Sequence, residues 1–222
     1  MTTIIFDLDG TLIDTAPLVL PVFREILGEI PGAPNHSDNN LKKTFGMPEP
    51  EIWKFLLPAA DSRQRYTAYK LAEQKIQEAM YNQDVLLPHA RDVLSEFRKR
   101  GHRLTVASNC GTGYLEAVLD SQGIRALFTD PLCLESVNGT QKADILARHF
   151  LHVPPAEAVM VGDRSSDVEA AHAHHIPCIG CAFGFGPKQE LLNADTIIHA
   201  LPELLPIFPA ESSPLLVPHG RG

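Results

Sequence analysis

Short, unbroken apolar runs alternate with segments whose apolar residues recur every three to four positions through the second half of the chain. Ile4-Ile5-Phe6, Arg103-Leu104-Thr105-Val106-Ala107, Ala158-Val159-Met160-Val161, Ile176 to Ala182 and Thr196-Ile197-Ile198 read as buried strands. Phe128 and Leu132-Cys133-Leu134 mark a further one. Between them, Ala90 to Arg100 carries Val93, Leu94 and Phe97 with charges between and stops before Gly101, as a helix with a basic last turn should. Tyr114 to Gln122, stopped at Gly123, Lys142 to Phe150 and Val168 to His174 continue the helical pattern. Strand and helix alternating in this way predict a parallel sheet with crossover helices.

Residues between the first strand and position 84 follow another period. Leu18 to Leu27 and Ile52 to Leu57 have helical spacing, and Arg63 to Tyr81 reads as a long polar helix with Tyr66, Tyr69, Leu71, Ile76 and Met80 as its apolar members. The expected organisation is an α/β core of residues 1–15 and 84–208, a Rossmann-like parallel sheet with helices on both faces. A small α-helical cap, residues 16–83, is inserted into it, and a poorly ordered tail runs from Pro209 to Gly222. A chain of 222 residues exceeds the usual single-domain mode of roughly 100–150, which leaves room for the second unit.

Composition narrows the function classes. A formal charge of −8 opposes a surface built to coat nucleic acid. No apolar run approaches the ~20 residues needed to span a bilayer. Met1-Thr2-Thr3 leads into a core strand with no basic region or cleavage pattern, so a cytoplasmic location is expected. The four cysteines are too few and scattered for a disulfide scaffold, and Cys178-Ile-Gly-Cys181 lies in a strand-like stretch where no low-pKa thiolate is expected. His172 and His175 share a helix face without a carboxylate or thiol at matching spacing, as exposed helix-end histidines do.

Chemistry concentrates where apolar runs end. Asp7-Leu8-Asp9-Gly10-Thr11-Leu12-Ile13-Asp14-Thr15 follows the first strand, and Gly10 permits the chain to break there so that the two carboxylates need not stay parallel. An Asp-Gly turn alone is common punctuation. With a divalent cation, however, Asp7 could attack phosphorus while Asp9 protonates the leaving oxygen and later activates water. Ser108-Asn109 closes the second strand, where a hydroxyl and an amide could hold a phosphoryl oxygen. Lys142 opens a helix whose N-terminus also favours an anion. Gly162-Asp163-Arg164-Ser165-Ser166-Asp167 follows the third and adds two carboxylates. Asp7, Asp163 and the Asp9 carbonyl would suit a hard cation such as Mg²⁺.

These four elements, in this order and with three of them directly after strands, resemble the haloacid dehalogenase-like hydrolase superfamily in its phosphatase branch, with a phosphoglycolate phosphatase-like layout. The resemblance implies Asp7 as nucleophile, Asp9 as general acid and base, Ser108 and Lys142 as phosphoryl ligands, Asp163 as a magnesium ligand and Asp167 as an outer-sphere or direct metal partner. The reaction implied is Mg²⁺-dependent hydrolysis of a small phosphorylated metabolite through an aspartyl-phosphate. An acidic residue at Asp9 points away from dehalogenation. A sugar phosphomutase would share every core residue; a pyrophosphate or phosphonate hydrolase and a non-catalytic binding protein fit the pattern less well. Three features of the remaining chain bear on substrate. Lys42-Lys43 before Gly46-Met47-Pro48 resembles a cap loop that reaches over such sites, which makes Lys43 a candidate contact for an anionic substrate, although a solvated helix end would look the same. Trp53 reads as core, with a pocket wall as the alternative. Gly180, Gly184 and Gly186 fit no phosphate-loop spacing and read as a connection beside the site.

Overall fold

The computed structural model describes residues 1–210. Six strands form one sheet: β1 (Thr3–Phe6), β2 (Arg103–Ser108), β3 (Leu132–Cys133), β4 (Ala158–Gly162), β5 (Cys178–Cys181) and β6 (Thr196–Ile198). Their spatial order is β3-β2-β1-β4-β5-β6, and every pairing is parallel. The chain lays down β1 to β3 outward in one direction, then returns to the centre and lays down β4 to β6 in the other. The topological switch therefore lies between β1 and β4, where open α/β sheets bind ligands.

Alternation along each strand sends successive side chains to opposite faces. Ile4, Phe6, Leu104, Val106, Val159 and Val161 pack in one core cluster. Ile5, Met160 and Cys178 pack in a second. Both faces are covered, so the strands read as unbroken apolar runs. Helices α5 (Ala90–Lys99) and α6 (Thr112–Ser121) feed the first cluster, while α7 (Lys142–His149) and α8 (Ser165–Ala173) feed the second. The Cys178-x-x-Cys181 pair is divided by the same geometry: one thiol belongs to each cluster, and both remain free.

Four helices lie between β1 and Asp84: α1 (Ala16–Glu29), α2 (Asp38–Lys42), α3 (Glu49–Leu56) and α4 (Ser62–Met80). A short last helix, α9 (Leu204–Ile207), completes the set. The start of α4 is set by a reciprocal cap, Asp61 Oδ1 accepting from the Gln64 amide at 2.8 Å and Gln64 Oε1 from the Asp61 amide at 3.0 Å. The two connections to the sheet run side by side, with the Asp14 amide on the Val85 carbonyl at 2.8 Å and the Leu87 amide on the Leu12 carbonyl at 2.9 Å. Buried Gln122 fastens the second connection: its Oε1 accepts from the Val85 amide at 3.0 Å and its Nε2 donates to the Gln83 carbonyl at 3.0 Å.

One helix begins earlier than its periodicity indicates. The predicted start at Val168 moves to Ser165, because Asp167 caps the first turn by accepting from the Arg164 amide at 3.0 Å. Of the predicted tail, Pro209 is described and its carbonyl contacts His102 Nε2 at 3.2 Å; residues 211–222 lie outside the described residues.

Gln122→Ala should leave the buried Val85 amide without its acceptor and destabilise the fold by about 1–3 kcal/mol. Urea denaturation measures this. A change within a few tenths of a kcal/mol would mean that water replaces the side chain and that the connection is not fastened by Gln122.

Candidate active site

The carboxyl ends of the three central strands converge. Asp7 follows β1, Ser108 ends β2 and Asp163 follows β4, and all three side chains are buried. Asp7, Asp163 and Asp167 each offer an oxygen within 4.8 Å of the others. Their residues are 2%, 0% and 0% exposed. Lys142, at the first turn of α7, reaches Asp7 Oδ1 at 2.7 Å and also donates to Asp167 Oδ1.

One cation does not balance three carboxylates. Burial, with Asp7 and Asp167 adding repulsion, raises the Asp163 carboxyl to about 8 despite the Gly186 and Phe185 amides that favour its charge. Burial also raises Asp167, to about 6, against the pull of Lys142. The lysine responds oppositely: burial works to lower it, yet Asp167 and Asp7 outweigh this and hold its ammonium above the ordinary range. Asp7 Oδ2 is buried without a hydrogen-bond partner among the described residues. Three buried carboxylates with one cation between them form an oxygen donor set that fits a hard divalent cation.

Asp9 is held differently. Its Oδ1 accepts from Thr15 Oγ1 at 2.7 Å and from the Tyr114 hydroxyl at 2.6 Å. Desolvation outweighs these two bonds and, with the Asp7 charge, raises its carboxyl to about 6. Such a group can both give and take a proton near neutral pH. Gly10 makes the arrangement possible, with φ at +80° and so little space that a Cβ would lie 2.5 Å from Asp163 Oδ2.

The glycine-rich segment after β5 takes part as a clamp. Its Phe185 and Gly186 amides donate to Asp163 Oδ2 at 2.6 and 3.0 Å. A Cβ at Gly186 would sit 2.1 Å from the Asp163 carbonyl oxygen, so no other residue permits this approach. Tyr114, Thr15 and Gly186 are the site residues that sequence reasoning overlooks. Only the glycine spacing signalled one of them, and no local pattern places Tyr114 beside Asp9.

A cavity of about 120 Å³ lies between these strand ends and the helical layer. Asp7, Asp9, Ser108 and Asn109 line its floor; Val19, Phe23, Ile52 and Ile76 are among its apolar wall. Trp53 is both buried core and wall, with its ring edge-on to Phe23 at 5.4 Å between centroids. Asn109 uses its Nδ2 on the Gly46 carbonyl at 2.9 Å, tying the helical layer down instead of pointing that donor at a phosphoryl oxygen. Arg164 reinforces the tie by donating to the Phe45 carbonyl, while Glu190 holds its Nε at 2.8 Å. Lys43 corrects the expectation set by its loop. It lies outside the cavity lining, exposed, with its ammonium on Asn40 Oδ1 at 3.0 Å, because the turn after α2 directs it to solvent.

A family model for haloacid dehalogenase-like hydrolases matches residues 4–181. A Mycobacterium tuberculosis protein named tyrosine-protein kinase PtkA is 32% identical over 199 residues, spanning 88% of this chain and 67% of that protein. The phosphoglycolate phosphatase of Shigella boydii is 26% identical over 231 residues, 90% of either chain. A crystal structure of a predicted phosphoglycolate phosphatase from Haemophilus somnus superposes with a TM-score of 0.84 at 21% identity, covering 93% of this chain and 97% of that one. At that identity the likeness speaks for the fold alone.

A carboxyl raised in the folded state from 3.8 to about 8 contributes stability that is present below its unfolded value and lost as pH rises through the folded one. The metal-free protein should therefore lose this contribution between about pH 4 and pH 8, and Mg²⁺ should restore more at the alkaline end. Tm measured with Mg²⁺ and with a chelator should differ more at about pH 8 than at about pH 5. An equal or reversed difference would mean that the cluster does not hold the cation.

Proposed function

We propose that this chain, which belongs to the haloacid dehalogenase-like hydrolase family, hydrolyses phosphate monoesters of small metabolites through a covalent phosphoryl group on Asp7. Asp7 carries the reading. One of its oxygens is oriented by Lys142, the other is bare, and both sit at the switch point of the sheet beside the cavity. A carboxylate that is fixed through one oxygen and bare at the other is placed to attack phosphorus.

Asp7, Asp163 and the Asp9 carbonyl would hold Mg²⁺, with Asp167 behind them. When bound, the cation neutralises charge between an anionic nucleophile and an anionic substrate. Ser108 and Lys142 offer a hydroxyl and an ammonium to the phosphoryl oxygens. Asp9, protonated at first, gives its proton to the leaving alcohol oxygen. Once the alcohol has left, the same carboxylate takes a proton from water as that water attacks phosphorus, which breaks the bond to the Asp7 oxygen, releases inorganic phosphate and frees the Asp7 carboxylate. Thr15 and Tyr114 hold Asp9 in one orientation for both steps. Helices α1 to α4 serve as a cap that keeps bulk water from the cavity during the first.

Water, and not a protein hydroxyl, is the acceptor favoured by the relatives. The phosphatase-named one aligns over 90% of both chains, whereas the kinase-named one extends well beyond this chain, which spans 67% of it. Substitution tests the assignment directly. Asp7→Asn keeps the shape but removes the attacking charge, so phosphate release should fall by several orders of magnitude. Asp9→Asn should lose ~10²–10⁴-fold through proton transfer. Activity of Asp7→Asn within about tenfold of the parent would assign the nucleophile elsewhere.

A further inference from the structure

Accepting the hydrolase reading above, we propose that the preferred substrate is the phosphate ester of a small amino alcohol, whose ammonium group is recognised by Glu49 and Glu73. Both carboxylates line the cavity across from Asp7, and among the described residues lining it there is no lysine, arginine or histidine. A leaving group that carried its own carboxylate would meet two like charges and no counter-charge. Such repulsion, in a half-buried cavity, rejects more strongly than a missing contact.

The hydrogen-bonding capacity of the cavity has the same sense. Tyr69 donates its hydroxyl proton to Glu73 Oε1 at 2.8 Å, Thr44 to the Leu41 carbonyl at 2.6 Å, and Thr15 and Tyr114 both to Asp9. Among the described lining residues Ser108 is the only hydroxyl not spent as a donor, and it belongs to the phosphoryl end. Among the described lining side chains, what remains are acceptors. Asn109 Oδ1 is the clearest, because the residue is 7% exposed, its Nδ2 is committed to Gly46, and the oxygen has no partner. Glu49 likewise has no hydrogen bond or ion pair among the described residues. Burial, with Glu73 and Glu135 repelling it, raises its carboxyl. Lys70 bonds Glu73 at 2.6 Å and acts on Glu49 only through its charge, without a direct contact, which leaves Glu49 the less compensated of the two.

An ammonium carries three donors and no acceptor, which complements a cavity rich in acceptors. A polyol needs both kinds of group, and the spent hydroxyls would leave half of its needs unmet. Aromatic faces add to the match: Trp53, Phe23 and Tyr69 surround the cavity, and rings attract a cation.

The test measures kcat/KM of the full chain with Mg²⁺ on 2-aminoethyl phosphate, its neutral near-isostere n-propyl phosphate, phosphoglycolate and 4-nitrophenyl phosphate. The expected order is aminoethyl above propyl by about tenfold or more, with phosphoglycolate lowest, since one charged contact is worth roughly that factor. Glu49→Gln should lower the aminoethyl-to-propyl ratio by about tenfold. Glu49→Lys should move the preference towards phosphoglycolate. Circular dichroism confirms that both half-exposed variants fold. Phosphoglycolate hydrolysed as well as the amine, or a ratio unmoved by Glu49→Gln, overturns the inference and leaves the hydrolase standing, as does turnover of the aryl ester alone. No Asp7-dependent phosphate release from any ester overturns both.

Discussion

Three carboxylates and one ammonium share a buried volume at the centre of the sheet, and most of the surrounding architecture is a response to that charge imbalance. In a medium of low effective dielectric, like charges a few ångströms apart repel strongly, and removing one partner of a buried pair costs about 3–5 kcal/mol. Lys142 holds Asp7 and Asp167, the Phe185 and Gly186 amides hold Asp163, and the Arg164 amide holds the far oxygen of Asp167. Asp7 Oδ2 is left out of this network, and it is the atom that attacks in the proposed reaction.

The same constraint explains the glycines. Asp163 is approached from β1 by Gly10 and from the segment after β5 by Gly186, each closer than a side chain would allow. The amide clamp on Asp163 depends on that closeness. The seam with the helical layer depends on the site in turn: Asn109 and Arg164, neighbours of Ser108 and Asp163, each donate to carbonyls of the Phe45-Gly46 turn. The rings of Phe45 and Phe185 meet there with centroids 4.5 Å apart. Residues next to Ser108 and Asp163 thus tie the helical layer down over the strand ends.

Charge on the two sides of the cavity is opposite in function. The floor has Lys142 beneath it and room for a cation, which together attract a phosphoryl group. The roof carries Glu49 and Glu73 and attracts what is positive. In the proposed reading this division separates the chemistry from the choice of leaving group, with Glu49 on α3 and Glu73 on α4 beside the cavity and Lys43 outside its lining.

Local order along the chain was enough to reveal the strand-helix alternation, the helical segment between Ala16 and Met80, and the places of Asp7, Asp9, Ser108, Lys142 and Asp163 at strand ends and a helix start. These depend on period, on turn residues and on carboxylates placed at strand ends, all of which are short-range properties. The strand order was not legible, because a parallel run that is apolar on both faces looks the same at the centre and at the edge. Nor was the link from Tyr114 to Asp9, which spans 105 residues, or the closing of the Gly186 segment on Asp163. Lys43 and Glu49 stand six positions apart with like prominence in the sequence; one points to solvent and the other lines the cavity. Only the packing of helices on the sheet decides that difference, since the direction of a surface charge is set by what covers it and not by its neighbours in the chain.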